Sequence, residues 1–247
     1  MKNYKALLFD INGTLCDYWR ARDLALKKAI FEIWLEYTGD KIESSNLNTY
    51  INFIKRVEEE LREKKCTLSE LRKKRFEIWI REFMPKKFSA SELEKCAIDI
   101  NKKYTNYTDI LLEPYPDVLP TLRKMYDEGF IIIAISNGPS KNQIRRLRKM
   151  NLIKYFSNLY FSEDIGFRKP DKQFYDNVFS SLEIEKEFCL AIGDDLIDDI
   201  QGARNYGLDA VWVNRKGNKN YFNKEDYFFS EVNTLEEVCS LIERKNN

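Results

Sequence analysis

Ala6-Leu7-Leu8-Phe9-Asp10-Ile11-Asn12-Gly13-Thr14-Leu15 is the stretch from which the fold can be read. Its first four residues form an apolar run without alternation, the pattern of a strand buried on both faces. Asp10 stands directly after the run, and Gly13-Thr14 marks a turn. In open α/β sheets ligands bind beyond the carboxyl ends of the strands, so a carboxylate there is placed for chemistry. The arrangement returns 184 residues later, where Ile192-Gly193-Asp194-Asp195-Leu196-Ile197-Asp198-Asp199 puts Asp194 after another apolar run. Two such aspartates at adjacent strand ends suit one hard cation.

Between these segments the periodicity changes twice. From Asp17 to about Thr108 the apolar spacing is helical throughout. One helix is expected over about 18–37, with Leu24, Ala25, Ile30, Phe31, Trp34 and Leu35 as its apolar stripe, ended by Gly39. A second is expected over about 45–65, capped by Ser44 or Ser45. Thr67 with Glu70, and Ser89 with Glu92, are capping-box pairs that open a third and a fourth. Trp34, Trp79, Ile80 and Phe83 read as the core of this helical region.

After Pro114-Tyr115-Pro116 helices alternate with apolar strands. Helices are expected over about 117–128, 140–150, 171–182, 196–206 and 234–244, and strands at Phe130–Ile135, Leu159–Phe161, Phe188–Ile192 and Ala210–Val213. Strand and helix in alternation argue for a parallel sheet covered on both faces. The reading is an α/β fold, a Rossmann-like doubly wound parallel sheet interrupted after its first strand by an all-helical cap. Residues 1–16 and 112–247 form the αβ core in this reading, and 17–111 the cap.

Composition narrows the chemistry. With 41 Lys+Arg against 40 Asp+Glu the formal charge is +1, so no bulk electrostatic partner such as nucleic acid or an acidic membrane is indicated. The run Arg72-Lys73-Lys74-Arg75 is read as a solvated helix face, since Glu58, Glu70 and Glu77 lie nearby. Cys16, Cys66, Cys96, Cys189 and Cys239 are scattered, without a Cys-x-x-Cys pair, and read as reduced thiols. The N-terminal residues lack an apolar signal-like stretch and no 18-residue apolar run follows, so a cytoplasmic protein, monomer or homodimer, is expected. The chain contains no histidine. That excludes a Ser-His-Asp triad and any histidine-ligated metal, and leaves carboxylate, Lys, Ser/Thr, Cys and bound metal.

Four strand ends carry polar residues: Asp10, then Ser136-Asn137-Gly138, Lys169-Pro170, and Asp194-Asp195. Any one alone is most simply a helix cap or turn residue. Together they supply the parts of phosphoryl transfer. A carboxylate can act as nucleophile, and a hard cation can neutralise phosphate charge. A hydroxyl with turn amides can hold the equatorial oxygens, beside a fixed positive charge.

In this order the segments resemble the four motifs of the haloacid dehalogenase superfamily, across nearly the whole chain. Asp10-Ile11-Asn12-Gly13-Thr14-Leu15 is similar to the first motif, Ile135-Ser136-Asn137-Gly138 to the second and Arg168-Lys169-Pro170-Asp171 to the third. Gly193-Asp194-Asp195 through Asp199, followed by Gly202-Ala203-Arg204, is similar to the fourth. The resemblance implies a hydrolase acting on a small phosphorylated metabolite, closest to the phosphatase and nucleotidase branch. It makes Asp10 the nucleophile and Lys169 the positive charge, with Ser136, Asn137, Gly138 and Thr14 around the phosphate. It also implies Mg²⁺ held by Asp10, the Asn12 carbonyl and Asp194, with Asp199, rather than Asp195, acting behind them.

Asn12 departs from that pattern. The family's phosphatases carry an aspartate there as general acid and then base, and an amide can do neither. Such catalysis is worth about 10²–10⁴-fold, so slowed hydrolysis is expected. The alternatives are a weakened protein that retains phosphate and Mg²⁺ binding, or a dehalogenase-type hydrolase. Dehalogenases share Ser-Asn-Gly in the second motif but lack the carboxylate that Asp194 supplies.

Overall fold

Ala6–Phe9 forms the first strand, β1, in the computed structural model, and none of its four side chains reaches solvent. The structure describes residues 3–63, 66, 68–217 and 230–246. Six strands among them make one sheet: β1, β2 (Ile131–Ser136), β3 (Asn158–Phe161), β4 (Cys189–Gly193), β5 (Asp209–Val213) and β6 (Ser230–Val232). Their order is β3-β2-β1-β4-β5-β6, and every pairing is parallel. The chain builds outward from β1 to β3, then returns to the other side of β1 for β4. The crevice between β1 and β4 is therefore the topological switch point, where ligands bind in such sheets.

Parallel strands need covered crossovers, and helices supply them. Ala6, Leu8, Ile133, Ile135, Ala191 and Trp212 pack with Phe174, Tyr175 and Val178 of a helix at Lys172–Ser180 and with Ala203 of one at Gly202–Tyr206. The alternate residues Leu7, Phe9, Ile132, Ala134 and Ile192 are buried too, so both faces are covered. This accounts for strands that read as unbroken apolar runs.

Eleven α-helical or π-helical segments lie among the described residues, and the α-helices are numbered in chain order. The helical region holds α1 (Tyr18–Thr38), α2 (Ser44–Glu63), α3 (Leu68–Phe83) and α4 (Ala90–Leu111). The rest holds α5 (Val118–Asp127), α6 (Ser140–Lys149), α7 (Ser162–Ile165), α8 (Lys172–Ser180), a π-helical turn (Leu196–Gln201), α9 (Gly202–Tyr206) and α10 (Leu235–Asn246). None is long and apolar enough to cross a membrane.

The chain divides into two compact units, Met1–Asp17 with Glu113–Asn247, and Tyr18–Leu112. In the helical unit α1 packs along α4, and Ala25, Leu26, Ala29, Ile30 and Ile33 meet Trp79, Ile80, Ile100 and Tyr104. The stripe expected from sequence was rotated too far, since Leu24 and Leu35 lie exposed at its edges. Small Ala25 and Ala29 sit at its centre instead, where α4 approaches. Ser89 and Glu92 form a complete capping box at the start of α4. Thr67 lies outside the described residues.

Arg75 corrects the reading of the basic run as a solvated face. Lys73 and Lys74 do pair at the surface with Glu94 and Glu70. Arg75, however, is buried, bonded to Glu58 and, at 2.8 Å, to Asn101 Oδ1, with Tyr104 against its guanidinium. Arg22 takes the other oxygen of Glu58. Buried charge needs a partner, and charge counts along a sequence do not reveal which residue has found one.

Two elements of the core unit, β6 and α7, have no counterpart in the sequence pattern, and a third begins differently. β6 is a three-residue edge strand, Ser-Glu-Val, with too little apolar pattern to see. α7 is a single turn ended by Gly166 at φ +82°. The expected helix over 196–206 begins as the π-helical turn, for a reason that belongs to the site.

Candidate active site

The register of β1 places the site. Phe9 pairs with Ala134 on one side and Ile192 on the other, so Asp10 emerges beside Ser136 and Asp194. Just beyond it the backbone turns sharply: Gly13 has φ +97°, and a Cβ there would lie 2.1 Å from Asp194 Oδ2. Glycine is required twice over, by conformation and by the closeness of that carboxylate. Thr14 is fully buried, and its hydroxyl reaches Asp10 Oδ2 at 3.4 Å and Asp194 Oδ1 at 3.3 Å.

Lys169 ties the third motif to the first and fourth. The residue is 1% exposed, and its ammonium donates to Asp10 Oδ1 at 2.8 Å, Asp199 Oδ1 at 2.6 Å and the Ile135 carbonyl at 3.1 Å. All three ammonium protons are thereby engaged. The backbone of Lys169 is clasped by Asn137, whose Oδ1 accepts the Lys169 N–H at 2.8 Å and whose Nδ2 donates to the Lys169 carbonyl at 2.9 Å. The remaining Nδ2 proton goes to Asp198 Oδ2, which Arg168 also holds at 3.0 Å. Asn137, expected around the phosphate, thus commits its side chain to holding Lys169.

The fourth motif separates its acids by geometry. Asp195 Oδ1 accepts the N–H groups of Ile197 and Asp198 at 2.9 and 2.8 Å, an ordinary N-cap. For this residue the plain reading of an acid after a strand is correct. The Ile200 N–H reaches the Asp195 carbonyl, an i→i+5 bond that widens the turn. Asp199 folds back so that its Oδ2 accepts the Asp195 N–H at 3.0 Å and its Oδ1 meets Lys169. It lies over Gly193, where a Cβ would come within 2.3 Å of it. Regular α-helical spacing misses this return, which is why the sequence read one continuous helix.

Burial governs the electrostatics. Desolvation raises the Asp10 carboxyl above its ordinary range, against the opposing pull of Lys169, and raises Asp199 well above it. Burial alone would lower the Lys169 ammonium, but Asp10 and Asp199 outweigh it and hold the proton on. Carboxylate oxygens of Asp10, Asp194 and Asp199 lie within 4.8 Å of one another. Three carboxylates around one ammonium leave two negative charges, and a divalent cation with a preference for oxygen balances both. The donor set therefore fits Mg²⁺. Both oxygens of Asp199 hold short bonds, from Lys169 at 2.6 Å and from the Asp195 N–H at 3.0 Å, whereas Asp10 Oδ2 and Asp194 Oδ1 meet the Thr14 hydroxyl at the longer distances of 3.4 and 3.3 Å.

Asn12 and Ser136 complete the site. Asn12 Oδ1 is buried without a hydrogen-bond partner. Ser136, at the end of β2, is buried, and its Oγ accepts from Gly138 N–H at 3.3 Å and from Gln143 Nε2 at 3.0 Å. Gln143, in the first turn of α6, was not singled out from sequence, where it is one polar residue among several. Arg215 was also missed in this role: it donates to the Thr14 carbonyl at 3.1 Å and pairs with Asp117. Cys16 is buried beside the turn with its thiol pushed up to about 12 by burial, so it takes no part as a nucleophile.

Comparison with known proteins agrees with this geometry. The sequence profile of the haloacid dehalogenase-like hydrolases matches residues 4–207. YfnB of Bacillus subtilis (strain 168), named as a HAD-hydrolase, is 29% identical over 250 residues, covering 100% of this chain and 98% of YfnB. A crystal structure of YfnB bound to magnesium matches with a TM-score of 0.78 at 25% identity, covering 98% of this chain and 100% of that one. The pyrimidine 5'-nucleotidase PynA of Streptococcus pneumoniae (strain ATCC BAA-255 / R6) is 30% identical over 212 residues, 85% of this chain and 84% of PynA. A glyceraldehyde 3-phosphate phosphatase of Pyrococcus furiosus is 24% identical over 254 residues, 100% of this chain and 96% of that protein.

Proposed function

This chain belongs to the haloacid dehalogenase-like hydrolases and is a hydrolase of phosphatase type, and we propose that it hydrolyses a small phosphomonoester through an aspartyl-phosphate on Asp10. The observation that carries the reading is the buried Lys169, bonded at once to Asp10 and Asp199 beside the carboxylate of Asp194. Such a site holds a nucleophile, a fixed positive charge and a place for a divalent cation within one crevice. Asp10, Asp194 and the Asn12 carbonyl would hold Mg²⁺, which supplies charge neutralisation for the phosphoryl group when bound. We take the Tyr18–Leu112 unit as the cap of such an enzyme.

An oxygen of Asp10 attacks phosphorus, the ester P–O bond breaks, and the alcohol oxygen leaves with the bonding pair. Lys169 opposes the effect of burial on the Asp10 carboxyl and orients it while this happens. Ser136 donates its hydroxyl proton to a phosphoryl oxygen. Water then attacks the phosphorus of the aspartyl-phosphate, its P–O bond to Asp10 breaks to release phosphate, and the proton the water sheds to solvent replaces the one the leaving alkoxide took from solvent in the first step.

Asn12 cannot protonate the leaving oxygen or deprotonate the water, so both steps run without general acid–base help. Slow hydrolysis and a long-lived aspartyl-phosphate follow. A dehalogenase reading gives Asp194 nothing to do, and the crowding of Asp194 against Gly13 and Thr14 favours a metal-dependent phosphatase.

The test is Mg²⁺-dependent turnover of p-nitrophenyl phosphate by the wild type, Asp10→Asn and Asn12→Asp. A carboxyl at position 12 would sit where the amide oxygen has no donor, an environment that favours the protonated acid. Asn12→Asp is expected to raise turnover by about 10²–10⁴-fold and Asp10→Asn to abolish it. Wild-type turnover that survives Asp10→Asn would overturn the aspartyl-phosphate.

A further inference from the structure

A hydroxyl has two lone pairs and one proton to place. At Ser136 both lone pairs are taken, one by the Gly138 N–H at 3.3 Å and one by Gln143 Nε2 at 3.0 Å. The proton is then what Ser136 has left to offer. Phosphoryl oxygens accept hydrogen bonds and donate none while ionised, so a serine held in this state is matched to them.

Gln143 is built in for this contact. It is fully buried on α6, and its Oε1 has no hydrogen-bond partner. An unpaired buried amide oxygen is destabilising, so stability alone favours an apolar side chain there. The backbone makes room for it as well: a Cβ at residue 138 would lie 2.1 Å from Gln143 Nε2. Gly138 is thus accounted for by the side chain that passes beneath it.

We propose that Gln143 is a positioning residue, which fills a lone pair of Ser136 and so turns the serine proton toward the phosphoryl group. It acts through Ser136 and not on substrate. The inference rests on the phosphatase reading for the identity of the ligand, and its test separates the two.

Inorganic phosphate affinity is measured by calorimetry with Mg²⁺ for wild type, Gln143→Met, Ser136→Ala and the double variant, with p-nitrophenyl phosphate kinetics in parallel. Gln143→Met keeps the length and removes the orphaned amide, so its Tm is expected at or above the wild-type value. Its phosphate affinity and kcat/KM are each expected to fall about tenfold, a fraction of the 10²–10³ lost with a whole donor. In the Ser136→Ala background the same change is expected to have no effect. An equal loss with and without Ser136 assigns Gln143 to packing and overturns the proposal, as does undiminished affinity in Gln143→Met. Should Gln143→Met fail to fold, Gly138→Ala displaces the same amide from the other side and is read through the same cycle. Phosphate binding without turnover would overturn the hydrolase mechanism and leave the Gln143 cycle to be read on affinity. A wild type that binds no phosphate overturns both.

Discussion

Arg215 grips Asp117 with both terminal nitrogens, at 3.0 and 3.1 Å, while its Nε donates to the Thr14 carbonyl at 3.1 Å. The guanidinium lies on the Tyr115 ring, 4.0 Å from its centroid, and Asp117 also accepts the Leu235 N–H at 2.7 Å. One arginine after β5 thus links the turn that follows β1 to the starts of α5 and α10.

Both side chains of this pair are about nine-tenths buried, so removing one leaves the other charge stranded. Arg215→Met is expected to cost about 3 kcal/mol, within the range for broken buried pairs, and Asp117→Ala more, because Leu235 loses its acceptor too. The double variant should cost less than the two added together. Urea unfolding with an unchanged slope would read these values; strictly additive losses would mean that the pair is not coupled.

Gly13→Ala should damage activity more than stability. The strain of a left-handed non-glycine residue is of order 1–3 kcal/mol, but the new Cβ also drives Asp194 out of place. Displacing a catalytic group by about 1 Å can cost about 10²-fold. The expected outcome is a folded protein with kcat/KM down by at least about that factor. Near-normal turnover would show that the Asp194 carboxylate is free to move without consequence.

Mg²⁺ should raise the melting temperature. A ligand at 100 times its dissociation constant stabilises by about 2.7 kcal/mol. Asp194→Asn should lose the rise while melting no lower than the metal-free wild type, since one of three crowded carboxylates is gone. Differential scanning fluorimetry across a Mg²⁺ titration checks both. An equal shift in the variant would place the cation elsewhere.

Glu92 supplies a pH signature in the helical unit. Bonds from the Ser89 backbone, the Ser89 hydroxyl and Lys86 lower its carboxyl to about 2, from an ordinary 4.5. Between those values the unfolded chain binds the proton and the folded one does not, so stability rises with pH there. The contribution is complete above about 4.5 and is lost as pH falls toward 2. Carbon-13 shifts of the Glu92 carboxyl should titrate with that low midpoint, and Glu92→Gln should flatten the acid limb of the stability curve. A midpoint near 4.5 would mean that the capping box does not hold in solution.

Much of the site could be read from one dimension because its residues sit where strands end. Asp10, Ser136 and Asp194 each follow an apolar run, and a parallel sheet brings such positions to one rim whatever the helices between them contain. What escaped was of a different kind. Gln143, Arg215 and the clasp of Asn137 on Lys169 join residues from separate elements, and no local pattern distinguishes them from surface polar residues. Arg75 misled for the same reason, since its partner Glu58 lies on another helix.

The sequence by itself determined the alternation of strand and helix, the all-helical insertion after β1 and the order of the acidic strand ends, because hydrophobic period and turn chemistry are local. Tertiary structure alone decided which of Asp194, Asp195, Asp198 and Asp199 caps a turn, braces a neighbour or faces the crevice. Four acids within six residues are nearly equivalent along a chain. They become different only when the π-helical turn folds Asp199 over Gly193 onto Lys169, because burial and hydrogen-bond partners, which set the chemistry of a carboxylate, come from the packed structure.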